Sequence, residues 1–320
     1  EWSPISWWNM DMPPADWARQ CADAVKAGYM SAKLKARTWY DLHAAIRAII
    51  EAVPPQFRID FDFNGTLDNA ANAVEFLKTL EQYEQVAMIE SPIPQGDVAG
   101  NRHIRERVNR PVAMHFGSPP IETTLREDVA DGFVVCAGAH SLLKQATHCE
   151  SANKPFWLQL VGTGLTTTWA AHLGAVCTSA KWPAITCMNI WQHQLLTRDI
   201  ELRGGYHCVP ETPGLGVDVD QKLLKKLTVD YAWVDPPRHV YRYSRASGEC
   251  TYFGCTKEQL HSVYPRNAMP VCEAGATTDV VADDGGKAFA EIWKAVAGGR
   301  TLRRLEKPKA RRARARTKKS

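Results

Sequence analysis

The sequence predicts an α/β protein built on a (β/α)8 barrel, and three observations lead to that prediction. Its 320 residues, 45% of them hydrophobic, are enough to enclose a large core. Eight short apolar runs alternate with helical stretches at intervals of roughly 25 to 30 residues, which is the pattern of βα units. Neither a G-x-G-x-x-G after a strand nor a G-x-x-x-x-G-K-[ST] motif occurs, so the sequence lacks the usual markers of nucleotide-binding α/β folds.

The barrel prediction depends on the number and order of these apolar runs. In residues 15–27, between two of them, Trp17, Cys21 and Val25 fall on one face of a helix, and residues 66–80 repeat this pattern. Eight strand-and-helix units in fewer than about 200 residues fit a barrel, whereas a doubly wound sheet needs only five or six strands. The predicted strands are residues 5–10, 30–35, 58–62, 86–90, 112–115, 132–135, 156–160 and 184–188.

The chain divides into three predicted parts. Residues 1–220 form the barrel, and the regular alternation stops after them. Residues 221–299 are a C-terminal extension that packs on the barrel and is irregular apart from one helix at 287–296. Residues 300–320 carry eleven Lys or Arg against one acid, Glu306, and are predicted to form a disordered basic tail. Nucleic acid is a conceivable partner only through this tail, because the rest of the chain has a net negative charge.

The composition also bears on the compartment. No run approaches the roughly 18 to 20 uncharged apolar residues of a membrane helix, and the start of the chain lacks the features of a signal peptide. Nine cysteines include no C-x-x-C pair, which favours buried thiols in a reducing compartment. We therefore expect a soluble cytoplasmic protein that does not contact membranes.

Two lysines close the second predicted strand. Lys33 and Lys35 are two residues apart, so their side chains point to the same face of the strand, towards the barrel mouth in the favoured register. Adjacent ammonium groups repel and burial disfavours charge, so one of the two is expected to have a lowered pKa. A neutral lysine can act as a general base. The alternative is a pair of surface lysines that extend into solvent.

Carboxylates close the next two strands. Asp60 and Asp62 share one face of the third strand, Asn64 follows in the turn, and Glu90 ends the otherwise apolar fourth strand. Acidic side chains that converge from adjacent strands repel unless a cation holds them, and hard oxygen ligands suit Mg²⁺. The sequence therefore predicts a site with Lys33 and the carboxylates at the carboxyl ends of these strands.

These motifs, taken in order, resemble a known family. They are Lys-x-Lys at 33 and 35, Asp-x-Asn at 62 and 64, Ile-Glu-Ser-Pro-Ile-Pro at 89–94 and Pro-Gly-Leu-Gly-Val-Asp-Val-Asp at 213–220. The set is similar to the barrel domain of the enolase superfamily, in its mandelate racemase and muconate-lactonizing group. The resemblance spans about residues 5–220. It implies Mg²⁺-assisted removal of the proton α to a carboxylate, giving an enediolate that collapses by β-elimination, racemisation, epimerisation or cycloisomerisation.

The resemblance also implies roles for the site residues. Lys35 would be the base, Lys33 would lower the pKa of Lys35 and meet the substrate carboxylate, and Asp62 and Glu90 would bind the metal. The chemistry needs such a set because an α-proton beside a carboxylate is scarcely acidic. A lysine can remove it only when positive charges already in place meet the charge that develops on the carboxylate oxygens. A small-molecule carboxylate is the implied substrate, and the resemblance allows a homo-oligomer.

The chain departs from the family pattern at the end of the fifth strand. The family places its third acidic metal ligand there, whereas this sequence has His115, 25 residues after Glu90. Imidazole is an uncommon ligand for Mg²⁺ and a common one for other divalent metals, so Mn²⁺ is an alternative ion. His115 could instead hydrogen-bond the substrate, act as a catalytic acid or cap a loop.

A second base is not evident on the opposite side of the predicted barrel mouth. Where relatives carry a lysine on the sixth strand or a histidine on the seventh, this chain has Cys136 and the segment that contains Gln159. Asn64 and Gln159 are predicted to contact the substrate. A one-base reaction fits better than two-base racemisation, so dehydration of a sugar acid or hydroxy acid is favoured. A racemase or epimerase, or a degenerate barrel that binds a carboxylate without turnover, remains an alternative.

Relatives also begin with a capping domain that closes over the barrel mouth. The present sequence starts at the first predicted strand, so we expect either that the capping domain was lost or that the chain is a truncated product. The segment after Asp220 contains several aromatic residues that could cover the mouth in its place or pack on the barrel's outer surface.

Overall fold

A computed structural model describes residues 1–306 of the chain and divides them into two compact units. The first unit comprises Glu1–Val234 and the short segment Pro270–Cys272. The second comprises Asp235–Met269 and the residues from Glu273 onward. The division therefore follows Val234 and not residue 220, because helix α8 (Gln221–Leu227) still belongs to the first unit.

The first unit contains a curved sheet whose core is parallel, in an α/β fold. Seven strands lie in the order β7-β6-β5-β4-β3-β2-β1, all parallel, and β8 pairs with β1 in the same direction. An isolated bridge joins Gln159, directly after β7, to Ile185 in β8. All eight strands predicted from the sequence are confirmed. Their bounds are β1 Trp2–Asn9, β2 Ser31–Lys35, β3 Arg58–Asp62, β4 Val86–Glu90, β5 Val112–His115, β6 Gly132–Val135, β7 Phe156–Leu158 and β8 Ala184–Ile185.

A helix follows each of the first seven strands. Three of these helices begin at an Asp or Asn whose side chain accepts a hydrogen bond from a backbone N–H of the first turn, as Asn69 does for α3. For this reason α3 begins at Ala70, later than the predicted start at residue 66. The helices are α1 Pro14–Lys26, α2 Leu42–Ala52, α3 Ala70–Leu80, α4 Val98–Arg105, α5 Ile121–Arg126, α6 Ala139–Ser151 and α7 Gly164–Val176.

Short elements follow β8. A 3-10 turn spans Met188–Ile190, and the antiparallel strands β9 (Leu202–Arg203) and β10 (Tyr206–Cys208) come next. Strand β10 also pairs antiparallel with the start of β1, so it extends the sheet at the amino end of that strand. These elements leave the carboxyl ends of β2 to β5 free to carry polar side chains.

Hydrophobic side chains lie on both faces of the parallel sheet. One cluster fills the space between the sheet and its helices, and Trp17 of α1 and Phe61 of β3 are fully buried in it. A smaller cluster on the inner face joins Met88, Val134 and Trp157. Because side chains alternate along each strand, the polar residues that end β2 to β5 are held directly above this inner cluster.

The second unit is a four-stranded antiparallel sheet with two helices. Its strands lie in the order β13-β11-β12-β14, and its helices are α9 (Lys257–Arg266) and α10 (Lys287–Val296). The helix predicted at 287–296 is confirmed, whereas the prediction that this region is otherwise irregular is wrong. The strands are β11 His239–Ser244, β12 Glu249–Phe253, β13 Thr277–Ala282 and β14 Thr301–Leu305.

The prediction of a disordered tail from residue 300 is wrong for the first part of that segment. Strand β14 pairs with β12, so residues 301–305 are ordered. Its Leu302 packs against a hydrophobic cluster, and the guanidinium of Arg304 lies 5.1 Å from the centre of the Tyr252 ring. Charged side chains are usual on an edge strand, so high charge did not exclude one here. Residues 307–320, the rest of the predicted basic tail, lie outside the described residues.

Within residues 1–306, no helix is long and apolar enough to cross a membrane. All nine cysteines lie in this range as free thiols, and six of them are buried, which agrees with the expectation of buried thiols.

Candidate active site

Strand register places three charged residues side by side at the carboxyl ends of adjacent strands. Lys35 of β2 is the register partner of Asp62 of β3, and Asp62 is the register partner of Glu90 of β4. The side chains of Asp62 and Glu90 are almost completely buried. The charged row therefore results from parallel pairing of strands that each end in a polar residue.

Lys33 lies one side-chain layer deeper and contacts four groups. Its Nζ is 2.5 Å from Glu90 Oε2 and 3.5 Å from Asp62 Oδ2, and it donates a hydrogen bond to Gln159 Oε1 at 2.7 Å. The same atom is 5.1 Å from the centre of the Trp157 ring, which is within cation–π range. Only 1% of the Lys33 side chain is exposed. The ammonium group is thus enclosed by acceptors and an aromatic face.

Lys35 is the accessible amine of the pair. Its side chain is 17% exposed, and it donates to Asp62 Oδ2 and, at 3.0 Å, to Asn64 Oδ1. Asn64 adopts a left-handed backbone conformation with φ of 46°, which asparagine tolerates, and its N–H donates to Asp62 Oδ1 at 2.9 Å. The turn after β3 therefore holds both Asn64 and the Asp62 carboxylate in place for Lys35.

Arg37 is a site residue that the sequence reasoning missed. It is buried, it donates to the backbone oxygen of Asp62 at 3.0 Å, and it donates to Asn64 Oδ1 at 2.8 Å. The signal was present, because residues 33, 35 and 37 are all basic and continue the two-residue period of the strand. The site thus contains three cationic side chains rather than two.

His115 and Gln159 also join the group that the sequence predicted. His115 ends β5, and its Nε2 is 3.3 Å from Glu90 Oε1, with 37% of the side chain exposed. Gln159 follows β7 and reaches across the inner face of the sheet to Lys33. The structure therefore brings together Lys33, Lys35, Asp62, Asn64, Glu90, His115 and Gln159.

Lys33 keeps its positive charge although it is buried. Burial alone lowers the pKa of Lys33, but the carboxylates of Glu90 and Asp62 more than offset that effect, so its pKa is raised. Burial likewise raises the pKa of Asp62, yet Lys33, Lys35 and Arg37 together hold it well below its usual value. Lys33 is therefore a fixed positive charge and Asp62 a fixed negative charge.

Asp60 behaves differently from its neighbour Asp62 on the same strand. It is buried, and burial raises its pKa to about 7, with Lys33 opposing this shift and Glu90 adding to it. Of the two acids that the sequence placed on one face of β3, only Asp62 has direct contacts with the lysine pair.

Strands β6 and β7, across the sheet from the lysines, carry no acid, histidine or lysine. Cys136 follows β6 and is exposed, and His140 and Lys144 lie in α6 with exposed side chains. The inward residue of β7 is Trp157, whose ring packs 5.4 Å from that of Trp182. Across the sheet, Lys33 therefore faces the Trp157 ring and the side chain of Gln159.

The residues of the site do not fit the implied magnesium ion. Within residues 1–306, no three His, Cys, Asp or Glu side chains are grouped so as to hold a metal. The position between Asp62 and Glu90, where a shared cation would lie, is held by the ammonium group of Lys33. The neighbouring strand contributes His115, which is a poor ligand for Mg²⁺.

Known proteins similar to this chain are enzymes of one superfamily. An N-succinyl-L-Arg/Lys racemase of Bacillus cereus is 27% identical over 230 residues, covering 68% of this chain and 60% of the relative. An o-succinylbenzoate synthase of Bacillus subtilis is 22% identical over 225 residues, covering 67% of this chain and 59% of that protein. The chain thus spans about 60% of the length of these curated relatives.

A solved structure has the same fold. A dipeptide epimerase from Cytophaga hutchinsonii, complexed with Mg and the dipeptide D-Ala-L-Val, superposes with a TM-score of 0.61. It is 21% identical, and the match covers 71% of this chain and 64% of the epimerase. The family described as "Enolase C-terminal domain-like" matches residues 16–223, a range that includes every site residue predicted from the sequence. The chain therefore belongs to the enolase superfamily, in which it resembles the mandelate racemase and muconate-lactonizing group.

Proposed function

We propose that the chain removes the proton α to the carboxylate of a small acid, with Lys35 as the base. The observation that carries the proposal is the charged row in which Lys35, Asp62 and Glu90 are register partners on three adjacent strands. A buried charge is costly unless an opposite charge or a bound ligand pairs with it. Three cations and two paired carboxylates leave this site with an excess positive charge, which suits an anionic substrate.

The proposed roles follow from the accessibility of each side chain. Lys35 is partly exposed and can reach a ligand, whereas Lys33 is enclosed and stays protonated. In the reaction Lys35 first releases one proton to solvent, the α C–H bond then breaks, and its proton moves to the free lone pair of Lys35 Nζ. Lys33 and Arg37 contribute fixed positive charge that lowers the energy of the enediolate. Asn64 orients Lys35 through their hydrogen bond.

Dehydration of a sugar acid or hydroxy acid is the reaction that we favour. After proton removal the enediolate expels a β-hydroxyl group, which takes up the proton that Lys35 received, and water leaves. This sequence needs a base on only one side of the substrate, and the inward residue of β7 on the other side is Trp157. A racemase or epimerase is the second candidate, because relatives of this chain catalyse racemisation and epimerisation.

We also propose that the curved parallel sheet closes into a complete eight-stranded barrel. The support is that β8 pairs with β1 and that Gln159 bridges to Ile185 of β8. Closure would place Gln159 and Trp157 across the same mouth from the lysine pair, which is the arrangement that a barrel active site requires.

Proton exchange tests the proposal directly. Sugar acids and hydroxy acids are incubated with the protein in D₂O, and the α-proton signal is followed by NMR together with the appearance of keto products. We expect exchange with the wild-type chain and its loss in Lys35→Met. The matched control is Lys26→Met, which changes an exposed lysine on α1. Exchange that persists in Lys35→Met would contradict the role of Lys35.

A second candidate function is binding of a small carboxylate without turnover. The observation that favours it is that Lys33 already pairs with the carboxylates of both Asp62 and Glu90. In that case a titration would detect carboxylate binding that Lys35→Met weakens, and no acid would show exchange in D₂O.

A further inference from the structure

We propose that the ammonium group of Lys33 takes the place of a divalent metal ion between Asp62 and Glu90, so that this chain does not bind a divalent cation at the site. The inference concerns occupancy of one position. It is tested by binding, and it holds or fails whether or not the proposed α-proton chemistry is correct.

Lys33 lies at contact distance from both carboxylates. Lys33 Nζ is 2.5 Å from Glu90 Oε2 and 3.5 Å from Asp62 Oδ2, so a single positive charge lies between two buried carboxylates. A Mg²⁺ bound to those oxygens would lie about 2.0 to 2.1 Å from them. Such an ion would be in close contact with the ammonium group, and both are positive. The two cations therefore compete for one position.

Lys33 has no room to withdraw from this position. Its side chain is 1% exposed, the Trp157 ring covers it at 5.1 Å, and Gln159 Oε1 accepts its hydrogen bond at 2.7 Å. A displaced ammonium group would lose these partners within the protein interior, where an unpaired charge is costly. Trp157 and Gln159 are two residues apart near the end of β7 and hold Lys33 from the side opposite the carboxylates.

Few oxygen ligands remain for a metal ion at this position. Asp62 also accepts from Lys35 and from the backbone N–H of Asn64, so its oxygens are already engaged. The adjacent strand ends in His115, whose Nε2 lies 3.3 Å from Glu90 Oε1 and which offers no oxygen ligand. Mg²⁺ requires near-octahedral oxygen coordination, and the site supplies two carboxylates that are both neutralised by lysines.

A titration with Mn²⁺, followed by electron paramagnetic resonance of the free ion, tests the inference. We expect the wild-type chain to show no stoichiometric binding at millimolar Mn²⁺, and we expect the same result with Mg²⁺ by calorimetry. Lys33→Met removes the ammonium group and keeps a side chain of similar length. It should bind one Mn²⁺ with an affinity that is higher by about tenfold or more, and adding Asp62→Asn should abolish that gain.

Lys26→Met, at an exposed lysine, should behave as the wild type. One tightly bound Mn²⁺ per wild-type chain, lost in Asp62→Asn, would overturn the inference without any lysine variant. Should Lys33→Met fail to fold, the melting temperature of Lys33→Gln with and without Mn²⁺ gives the second measurement. A metal-dependent rise in that temperature supports the inference, and a folded Lys33→Gln whose melting temperature does not respond to Mn²⁺ overturns it.

The same samples separate this inference from the proposed function. Exchange of an α-proton in D₂O without added metal, unaffected by a chelator, supports both. Exchange that requires Mn²⁺ supports the proposed function and overturns the role of Lys33. If no acid exchanges under any condition, the proposed function fails, while the Mn²⁺ titration still decides the role of Lys33.

Discussion

Lys35 and Asp62 are register partners on adjacent parallel strands, and the ammonium group of one donates to the buried carboxylate of the other. Parallel pairing fixes this contact through the backbone, so it does not depend on a flexible loop. Lys35 is therefore held at the carboxyl edge of the sheet, where a ligand can reach it, by a neighbour that is itself completely buried.

Removing the charge of Asp62 should destabilise the fold. Asp62→Asn leaves Lys33 and Lys35 facing a neutral amide in a buried setting. Loss of one partner of a buried ion pair costs about 3 kcal/mol or more of the free energy of unfolding, which urea denaturation measures. Asp23→Asn, which breaks the exposed pair with Lys26, should cost no more than about 1 kcal/mol. Equal losses in the two variants would refute the structural role of Asp62.

Arg37 should not be replaceable by lysine. Its guanidinium reaches the backbone oxygen of Asp62 and Asn64 Oδ1 from two different nitrogens, and one ammonium group cannot reproduce that geometry. We expect Arg37→Lys to lower the free energy of unfolding by about 2 kcal/mol and to slow α-proton exchange through a misplaced Asn64. Arg19→Lys, at an exposed residue of α1, is the comparison. Unchanged stability and exchange in Arg37→Lys would contradict this assignment.

The free energy of unfolding should fall in mildly acidic solution because of His207. This residue of β10 is buried, and burial, with a smaller effect of His172, lowers its pKa in the folded chain. Below about pH 6.5 this histidine binds a proton more readily in the unfolded chain than in the folded chain. The free energy of unfolding therefore decreases as the pH falls. Denaturation at pH 7.5 and 5.5 should show a smaller difference for His207→Phe than for the wild type. His140→Gln, at an exposed residue of α6, should keep the full difference.

Thiol labelling should report on the carboxyl ends of the strands. Of the nine cysteines, all within residues 1–306, only Cys136 is exposed, and it directly follows β6. A chromogenic disulfide reagent should therefore modify one thiol rapidly in the folded chain, and Cys136→Ser should remove that fast phase. A carboxylate that binds at the site should slow the labelling. Rapid reaction of several thiols in the native protein would contradict this burial pattern.

The parallel sheet and most of the candidate site could be predicted from the sequence. Each strand is an apolar run that ends in a polar residue, and strands of a parallel sheet present their carboxyl ends at one edge. Lys35, Asp62 and Glu90 could therefore be assigned to one place before their register was known.

Other features depended on contacts that a linear pattern does not encode. The raised pKa of Lys33 arises because Glu90 and Asp62 both face it, which outweighs the burial that the sequence argument considered. Arg37 was overlooked because it follows the strand, where a basic residue is usually solvated. Strand β14 was hidden by its arginines, since an antiparallel edge strand needs only one apolar side to pack.

The indole of Trp157 gives the site an optical property of its own. It lies beside the one buried ammonium group that the proposals concern, and its ring is close enough to that of Trp182 for their transitions to couple. Any event that moves the charge of Lys33 would change the electric field across this chromophore. Movement of that charge should therefore change the fluorescence emission wavelength of Trp157 and the near-ultraviolet circular dichroism of the native chain, without an added label.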